Sequence, residues 1–255
     1  MMTGRLTDGV VLVFGAGSSG DGLSNGEAAA RTYAAEGARV VAIDRDGAEA
    51  ERVAKEITAA GGEALAVRAD VTVEDEVARA VAESVSTFGR PTVLHHNVGV
   101  PVDGSVLDLT REQWDASVAV NLTGVFLTTR HVLPHLLDAG RGAIVTVSSV
   151  AAIRDTGYVY PAYNATKAAV NQLTVSLALT YADQGIRANA VLPGMIDTPL
   201  VAARDRAARD AASPTGRVGS PWDVARAAAF LASDDAAYVN GVCLPVDGGL
   251  SARCL

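Results

Sequence analysis

Cysteine is almost missing from this chain: Cys243 and Cys254 are the only two, and neither stands in a C-x-x-C pair or a metal-ligand spacing. That scarcity excludes a disulfide framework and implies free thiols in a reducing compartment, here the cytoplasm. Positive charge is short as well. With 21 Lys and Arg against 29 Asp and Glu, the net charge of -8 repels nucleic acid and anionic membrane, and no basic cluster offsets it. No apolar run is long enough to cross a bilayer. The opening MMTGRLTDGVVLVFGAG has a short apolar run cut by glycines, which reads as a first strand and not as a signal peptide. Lysine is scarcest among the charged residues: Lys55 and Lys167 are the only two. A position that escapes this bias towards arginine suggests that a compact, rotatable ammonium is wanted there.

What is present is a regular alternation. At 255 residues, 49% hydrophobic and 20% charged, the chain can bury a large core. Short apolar runs at 10-14, 39-43, 64-68, 92-96, 143-147, 187-192 and 242-246 are separated by longer helical patterns. Continuous apolar runs mark strands covered on both faces. The expected fold is α/β: a doubly wound, mostly parallel sheet of the Rossmann type, about seven strands with helices on both faces. The alternation runs without a linker or short repeat, so residues 1-255 read as one domain. Helix starts are signalled by Thr110 with Gln113, by Thr72 with Asp75, and by Ser220 followed by Pro221 and Asp223. The least patterned stretch, residues 195-221, is polar and arginine-rich, and is expected to form a mobile lid.

The first strand runs into GAGSSGDGLSNGEAAA, residues 15-30, after which Ala28 to Glu36 looks helical. Glycines let backbone approach a pyrophosphate, and a helix N-terminus offers unpaired N-H groups to an anion. Asp44 ends the second strand 18 residues after Gly26, where a carboxylate accepts hydrogen bonds from adenosine ribose hydroxyls. Its bland reading is a helix cap, a task for which Asp46 is better placed. A 2'-phosphate beside Asp44 would meet like charge, and no Lys or Arg lies between Gly15 and Gly26, so NAD is favoured over NADP, although Arg45 works the other way. The G-x-x-x-x-G-K-[ST] pattern of a P-loop is missing.

Residues 162-167, AYNATK, place Lys167 four residues after Tyr163, one helical turn away on the same face. Tyrosine's free pKa of about 10 makes it a poor base near neutrality. An ammonium at about 4 Å, in an effective dielectric of about 20, is worth roughly 4 kcal/mol, or about three pKa units. On that arithmetic the phenol titrates near neutrality, where acid-base catalysis works best. Tyr-x-x-x-Lys alone is common by chance. Here it follows Pro161, a helix-start signal, and a buried run ending in Ser148 and Ser149, at the strand edge where doubly wound sheets bind ligands.

On these residues the chain resembles the short-chain dehydrogenases/reductases, the single-domain NAD(P)-dependent family, from end to end. The matching motifs are GAGSSGDGLSNG, ADVT (69-72), HNVG (96-99), VNLTG (120-124), VSS with YNATK, NAVLPGMIDTP (189-199) and VDGG (246-249). The resemblance implies hydride transfer between nicotinamide and a hydroxyl or carbonyl carbon of a small alcohol or ketone. It implies Tyr163 as acid/base and Lys167 lowering its pKa while holding the nicotinamide ribose. Ser149 would bond the substrate oxygen, and Asn121 would hold a water linking Lys167 to solvent. Gly15, Ser24, Asn25 and Gly26 would form the glycine turn; Asp70 and Val71 would meet adenine, and Asn97 and Gly99 the adenosine ribose. Pro193, Ile196 and Thr198 would seat the nicotinamide carboxamide. The family also implies a homo-oligomer, a tetramer or less often a dimer.

The glycine turn departs from the family's usual length by about five residues, with Ser24 at the second glycine and Gly26 at the third. Phe14 stands where threonine is frequent, and Val98 where alanine is usual. Ser149 to Tyr163 is one residue longer than the commonest spacing, which leaves Ser148 as an alternative. Tyr158 and Tyr160 lack a following lysine and read as substrate wall or as packing. His131 and His135 have helix-face spacing but no third ligand, and Pro134 is expected to interrupt the turn, so no metal site is expected. His95 and His96 read as packing or cofactor-edge contacts. Arg154 is an attractor for an acidic substrate or a solvated side chain. The leading reading is an NAD-dependent dehydrogenase of a secondary alcohol. The alternatives are an NADPH-dependent 3-oxoacyl reductase and a catalytically silent nucleotide sensor or scaffold.

Overall fold

The computed structural model describes residues 4-253, so Cys254 lies outside the described residues. Seven strands form one sheet in the order β3-β2-β1-β4-β5-β6-β7, with every neighbouring pair parallel. They are β1 Val10–Phe14, β2 Arg39–Asp44, β3 Glu63–Arg68, β4 Val93–His96, β5 Gly142–Val147, β6 Ile186–Pro193 and β7 Cys243–Val246. The helices between them are α1 Asn25–Ala35, α2 Gly47–Ala59, α3 Glu74–Phe88, α4 Arg111–Val118, α5 Gly124–Asp138, α6 Pro161–Thr180, α7 Arg206–Ala212 and α8 Pro221–Ala232. This is the doubly wound Rossmann arrangement that the alternating runs imply.

Successive side chains of a strand point to opposite faces, and β1 shows how this builds two cores. Val11 and Val13 pack with α1, α2 and α8, whereas Val10, Leu12 and Phe14 pack with α3, α5 and α6. Both faces are therefore covered, which is why the strands are continuously apolar. The strand order reverses between β1 and β4, and such a reversal opens a crevice at the carboxyl ends of the strands.

Several helix starts follow local chemistry, and three features depart from expectation. Thr110 and Gln113 form a reciprocal capping box, and Asp46 caps α2 by accepting the Ala48 N-H at 3.0 Å. The Ser220 N-H and hydroxyl both donate to Asp223, at 2.8 and 2.9 Å. Thr72 is not a cap: its N-H and hydroxyl are drawn to the Asp70 carboxylate at 2.8 and 2.7 Å, and α3 starts after an uncapped Val73. Pro134 does not interrupt α5, which runs through it to Asp138. The helix also starts earlier than expected at α1, whose first residue is Asn25.

Residues 195-221 leave the sheet and return to it. A parallel bridge pairs Ile196 with Gly219, and a short turn at Pro199–Val201 and helix α7 lie between. Arg206 ties the excursion together by pairing with Asp197 at 2.6 Å and Asp210 at 3.0 Å.

Candidate active site

A cavity of 780 Å³ lies along the strand ends, and each strand from β1 to β6 delivers a residue to it. Gly15 follows β1, Asp44 ends β2, Asp70 follows β3, Asn97 follows β4, Ser149 follows β5 and Pro193 ends β6. Its size is that of a coenzyme or drug-sized ligand site.

One end is made of bare backbone. Gly15 has φ +80, and a side chain there would meet Val98 at 2.9 Å. A side chain on Gly26 would lie 1.8 Å from the Gly15 carbonyl oxygen, so α1 can start against the turn only because both residues are glycine. Ser24 caps α1: its hydroxyl accepts the Glu27 N-H at 3.0 Å and donates to the Gly17 carbonyl at 2.7 Å. Two carboxylates fix the turn from outside. Asp44 accepts from the Gly17 N-H and Glu49 from the Ser18 N-H, both at 2.9 Å, so Asp44 is no helix cap. Asn97 donates to the Gly15 carbonyl at 3.1 Å. The extra residues of the turn reach across to the 195-221 segment, with side-chain positions on Gly20 and Gly22 3.5 Å from Pro199. Bare backbone at a helix N-terminus, backed by an acidic strand end, fits a dinucleotide.

The reactive end is built by α6. Pro161 at its first position starts the helix, and the helical turn then puts Tyr163 and Lys167 side by side, with Lys167 Nζ 5.7 Å from the centre of the Tyr163 ring. Lys167 is 2% exposed and donates to the Val147 carbonyl at 2.8 Å. Gly99 makes room for it, since a side chain there would lie 2.5 Å from Nζ. Both serines line the cavity, but the Ser148 hydroxyl donates to the Lys167 carbonyl at 2.9 Å, whereas the Ser149 hydroxyl is bonded to the Tyr163 phenol.

Burial, more than charge, governs the pair. It pushes the Tyr163 phenol up to about 12, against the hydrogen-bonding pull of Ser149, and it pushes Lys167 down to about 8. Burial thus works against the approach to neutrality expected of the phenol from Lys167 alone. Both groups are taken out of water, and the ammonium points at Val147 rather than at the phenolic oxygen.

Of the residues singled out from sequence, Ser24, Asn25, Val71, Gly99, Ile196 and Thr198 also line the cavity, whereas Gly26 and Asn121 lie behind its wall. Asn121 sits in a π-helical turn, Ala119–Thr123, and grips Val100 by both its N-H, at 2.8 Å, and its carbonyl, at 3.0 Å. Its side chain thus shapes the chain beside Gly99. Tyr158 and Tyr160 are cavity wall: they stack at 5.8 Å, and Tyr160 meets Tyr163 edge-on at 5.2 Å. His95 and His96 are buried packing, bonded to Tyr33 at 2.8 Å and Thr128 at 3.0 Å, and burial pushes both down to about 3. His131 pairs with Glu74 at 3.2 Å. Arg154 bonds the Ser251 carbonyl at 2.9 Å and does not line the cavity. Two arginines that sequence reading passed over do line it, Arg204 and Arg209. The only trace of them in the sequence is the arginine content of residues 195-221.

Residues 22–251 match the family described as Enoyl-(Acyl carrier protein) reductase. The chain is 46% identical over 233 residues to cis-4-hydroxycyclohexanecarboxylate dehydrogenase of Sinomonas cyclohexanicum, covering 89% of this chain and 92% of that one. It is 40% identical over 253 residues to 2,5-dichloro-2,5-cyclohexadiene-1,4-diol dehydrogenase LinX of Sphingobium indicum, covering 98% and 99%. The crystal structure of a short-chain dehydrogenase/reductase from Burkholderia xenovorans superposes with a TM-score of 0.96 at 42% identity, over 99% of this chain and 100% of that one. The chain belongs to the short-chain dehydrogenase/reductase family. Within it, the chain is an oxidoreductase acting on CH-OH groups, and its coenzyme class is NAD(P).

Proposed function

We propose that the protein oxidises a cyclic secondary alcohol to its ketone with NAD, using Tyr163 as general base, and that reduction runs through the same groups. The observation that carries this is the meeting of the Tyr163 phenol, the Ser149 hydroxyl and the buried Lys167 ammonium in one cavity with the bare glycine turn. The relatives named for a hydroxycyclohexane acid and a cyclohexadiene diol support a cyclic substrate.

NAD, when bound, supplies the hydride acceptor and, in its oxidised form, a positive charge. Gly15, Ser24 and Asn25 receive its phosphates, with Gly26 behind them letting α1 start against the turn; Asp44 takes its adenosine ribose, and Asp70 and Val71 its adenine. Asn97 and Gly99 border that ribose, while Pro193, Ile196 and Thr198 seat the carboxamide. Ser149 donates to the substrate oxygen, Tyr163 takes the hydroxyl proton, and Lys167 holds the nicotinamide ribose and favours the phenolate. Asn121, by gripping Val100, orders the route by which a water relays protons from Lys167 to solvent.

Asp44 supports NAD over NADP, because a 2'-phosphate beside its carboxylate would be repelled. The opposing feature is Arg45, which also lines the cavity and would favour the NADPH-dependent reductase. A silent sensor or scaffold would have no use for Ser149, Tyr163 and Lys167 together. We read residues 1-255 as one NAD(P)-binding domain, with 195-221 as its substrate lid. A homotetramer in the cytoplasm is supported by the apolar Trp114, Phe126 and Leu179, exposed on α4, α5 and α6, and by the sparse thiols.

Replacing Tyr163 by Phe removes one oxygen and keeps the ring. Alcohol oxidation, followed by NADH absorbance, should fall at least 1,000-fold while NAD binding stays within about threefold. Turnover near the wild-type rate would end the mechanism.

A further inference from the structure

We propose that Arg209 is an anion-reading residue of the cavity, and that the alcohol oxidised there carries a carboxylate. The inference rests on the dehydrogenase reading above and names its substrate class. Arg209 belongs to α7 and is only 5% exposed, yet the one hydrogen bond of its guanidinium among the described residues is from Nη2 to the Ile196 carbonyl at 2.6 Å. No carboxylate of the described residues pairs with it. The acidic side chains around it are engaged elsewhere: Asp197 and Asp210 with Arg206, at 2.6 and 3.0 Å, and Asp103 with Arg204 at 2.9 Å.

A guanidinium has five N-H donors, and burying one without a counter-charge is unfavourable unless something completes the set. The free donors of Arg209 have somewhere to point. Its Nε and Nη1 are not among the sealed, unpartnered atoms of the core, as Arg31 Nε is, and the residue lines the cavity. Arg204 makes the contrast. It lines the same cavity, but Asp103 neutralises it and its guanidinium lies 4.0 Å over the Tyr158 ring, so it closes the wall and leaves little charge to offer. Asp210 lies within Coulombic reach of Arg209 but is itself paired with Arg206, so Arg209 is left as the cavity charge without a carboxylate partner of its own, suited to a planar carboxylate, which a guanidinium fork holds with two parallel hydrogen bonds. The coenzyme's phosphates already have the glycine turn and the α1 N-terminus, so a substrate anion is the better occupant.

The test uses hydroxycyclohexanecarboxylates and their carboxamides, which match in shape and differ in charge. With saturating NAD, wild-type kcat/KM should favour the carboxylates about 10- to 100-fold. In Arg209→Met that ratio should fall to near one, and in Arg209→Lys it should be intermediate; the lysine variant also guards against a methionine variant that does not fold. Calorimetric binding of the same pairs to the NADH-loaded protein reads the preference without turnover. A charge preference in binding with no oxidation of any alcohol would overturn the dehydrogenase reading and leave the anion site standing. Equal binding and turnover of acid and amide by the wild type would overturn the anion site. So would a preference that survives in Arg209→Met while NADH binding weakens tenfold, which would assign the arginine to the coenzyme's pyrophosphate.

Discussion

Gly99→Ala tests whether the position of Lys167 matters, without touching a reacting atom. The added methyl would lie 2.5 Å from Nζ and 3.0 Å from Cε, where ordinary contact begins near about 3.5 Å. The ammonium must therefore retreat by about 1 Å. Its bond to the Val147 carbonyl, 2.8 Å long, then stretches to the edge of hydrogen-bonding range. A charge-assisted bond of this kind is worth about 1.5-3 kcal/mol. Moving the charge about 1 Å further than its 5.7 Å from the centre of the Tyr163 ring removes roughly a further 0.4 kcal/mol at an effective dielectric of about 20. Part of that loss falls on the folded protein and part on the transition state, so kcat should drop about 10- to 100-fold. Initial rates from NADH absorbance, together with thermal melting to confirm folding, are the assay. The rising limb of the pH-rate profile should also move to higher pH, because a more distant ammonium stabilises the phenolate less. A folded Gly99→Ala protein with kcat within twofold of wild type would refute the reasoning.

Two further outcomes follow from charges placed by the fold. Asp44→Asn keeps an acceptor for the Gly17 N-H but removes the repulsive charge, so the NAD to NADP ratio of kcat/KM should fall at least about tenfold; an unchanged ratio would assign the discrimination elsewhere. His95 and His96 titrate near about 3 in the fold, both through burial, against about 6.5 when unfolded. Their neutral forms support the fold fully above pH 6.5, and that support is lost as pH falls from 6.5 towards 3, because the unfolded chain takes up protons first. Between pH 7 and pH 5 each histidine should cost about 2 kcal/mol in urea unfolding, and His96→Asn should lose about that much less than wild type. Equal losses in the two proteins would show that the histidine is not held neutral.

The strands were legible because burial on both faces leaves a local mark, an unbroken apolar run such as Val10 to Phe14. Tyr163 and Lys167 were legible because helical geometry fixes a four-residue pair without reference to the rest of the chain. The pKa of that phenol was not, since the sequence gives the neighbouring charge but not the loss of water around both groups. Arg209 escaped for a similar reason: its burial depends on the bridge between Ile196 and Gly219, residues far apart in sequence. Thr72 misled because its preceding Asp70 competes for it more strongly than the helix N-terminus does.

The order of the sheet also governs how the molecule can be made. Its middle pair joins β1 to β4 through contacts such as Val11 with Val93, which are 93 - 11 = 82 residues apart. On the ribosome, β1 and β2 emerge long before the strand that completes their inner edge. Until residue 96 is out, that edge presents unpaired backbone N-H and C=O groups between apolar side chains. Pairings between strands so distant in sequence slow folding, because the loop between them must close before the contact is made.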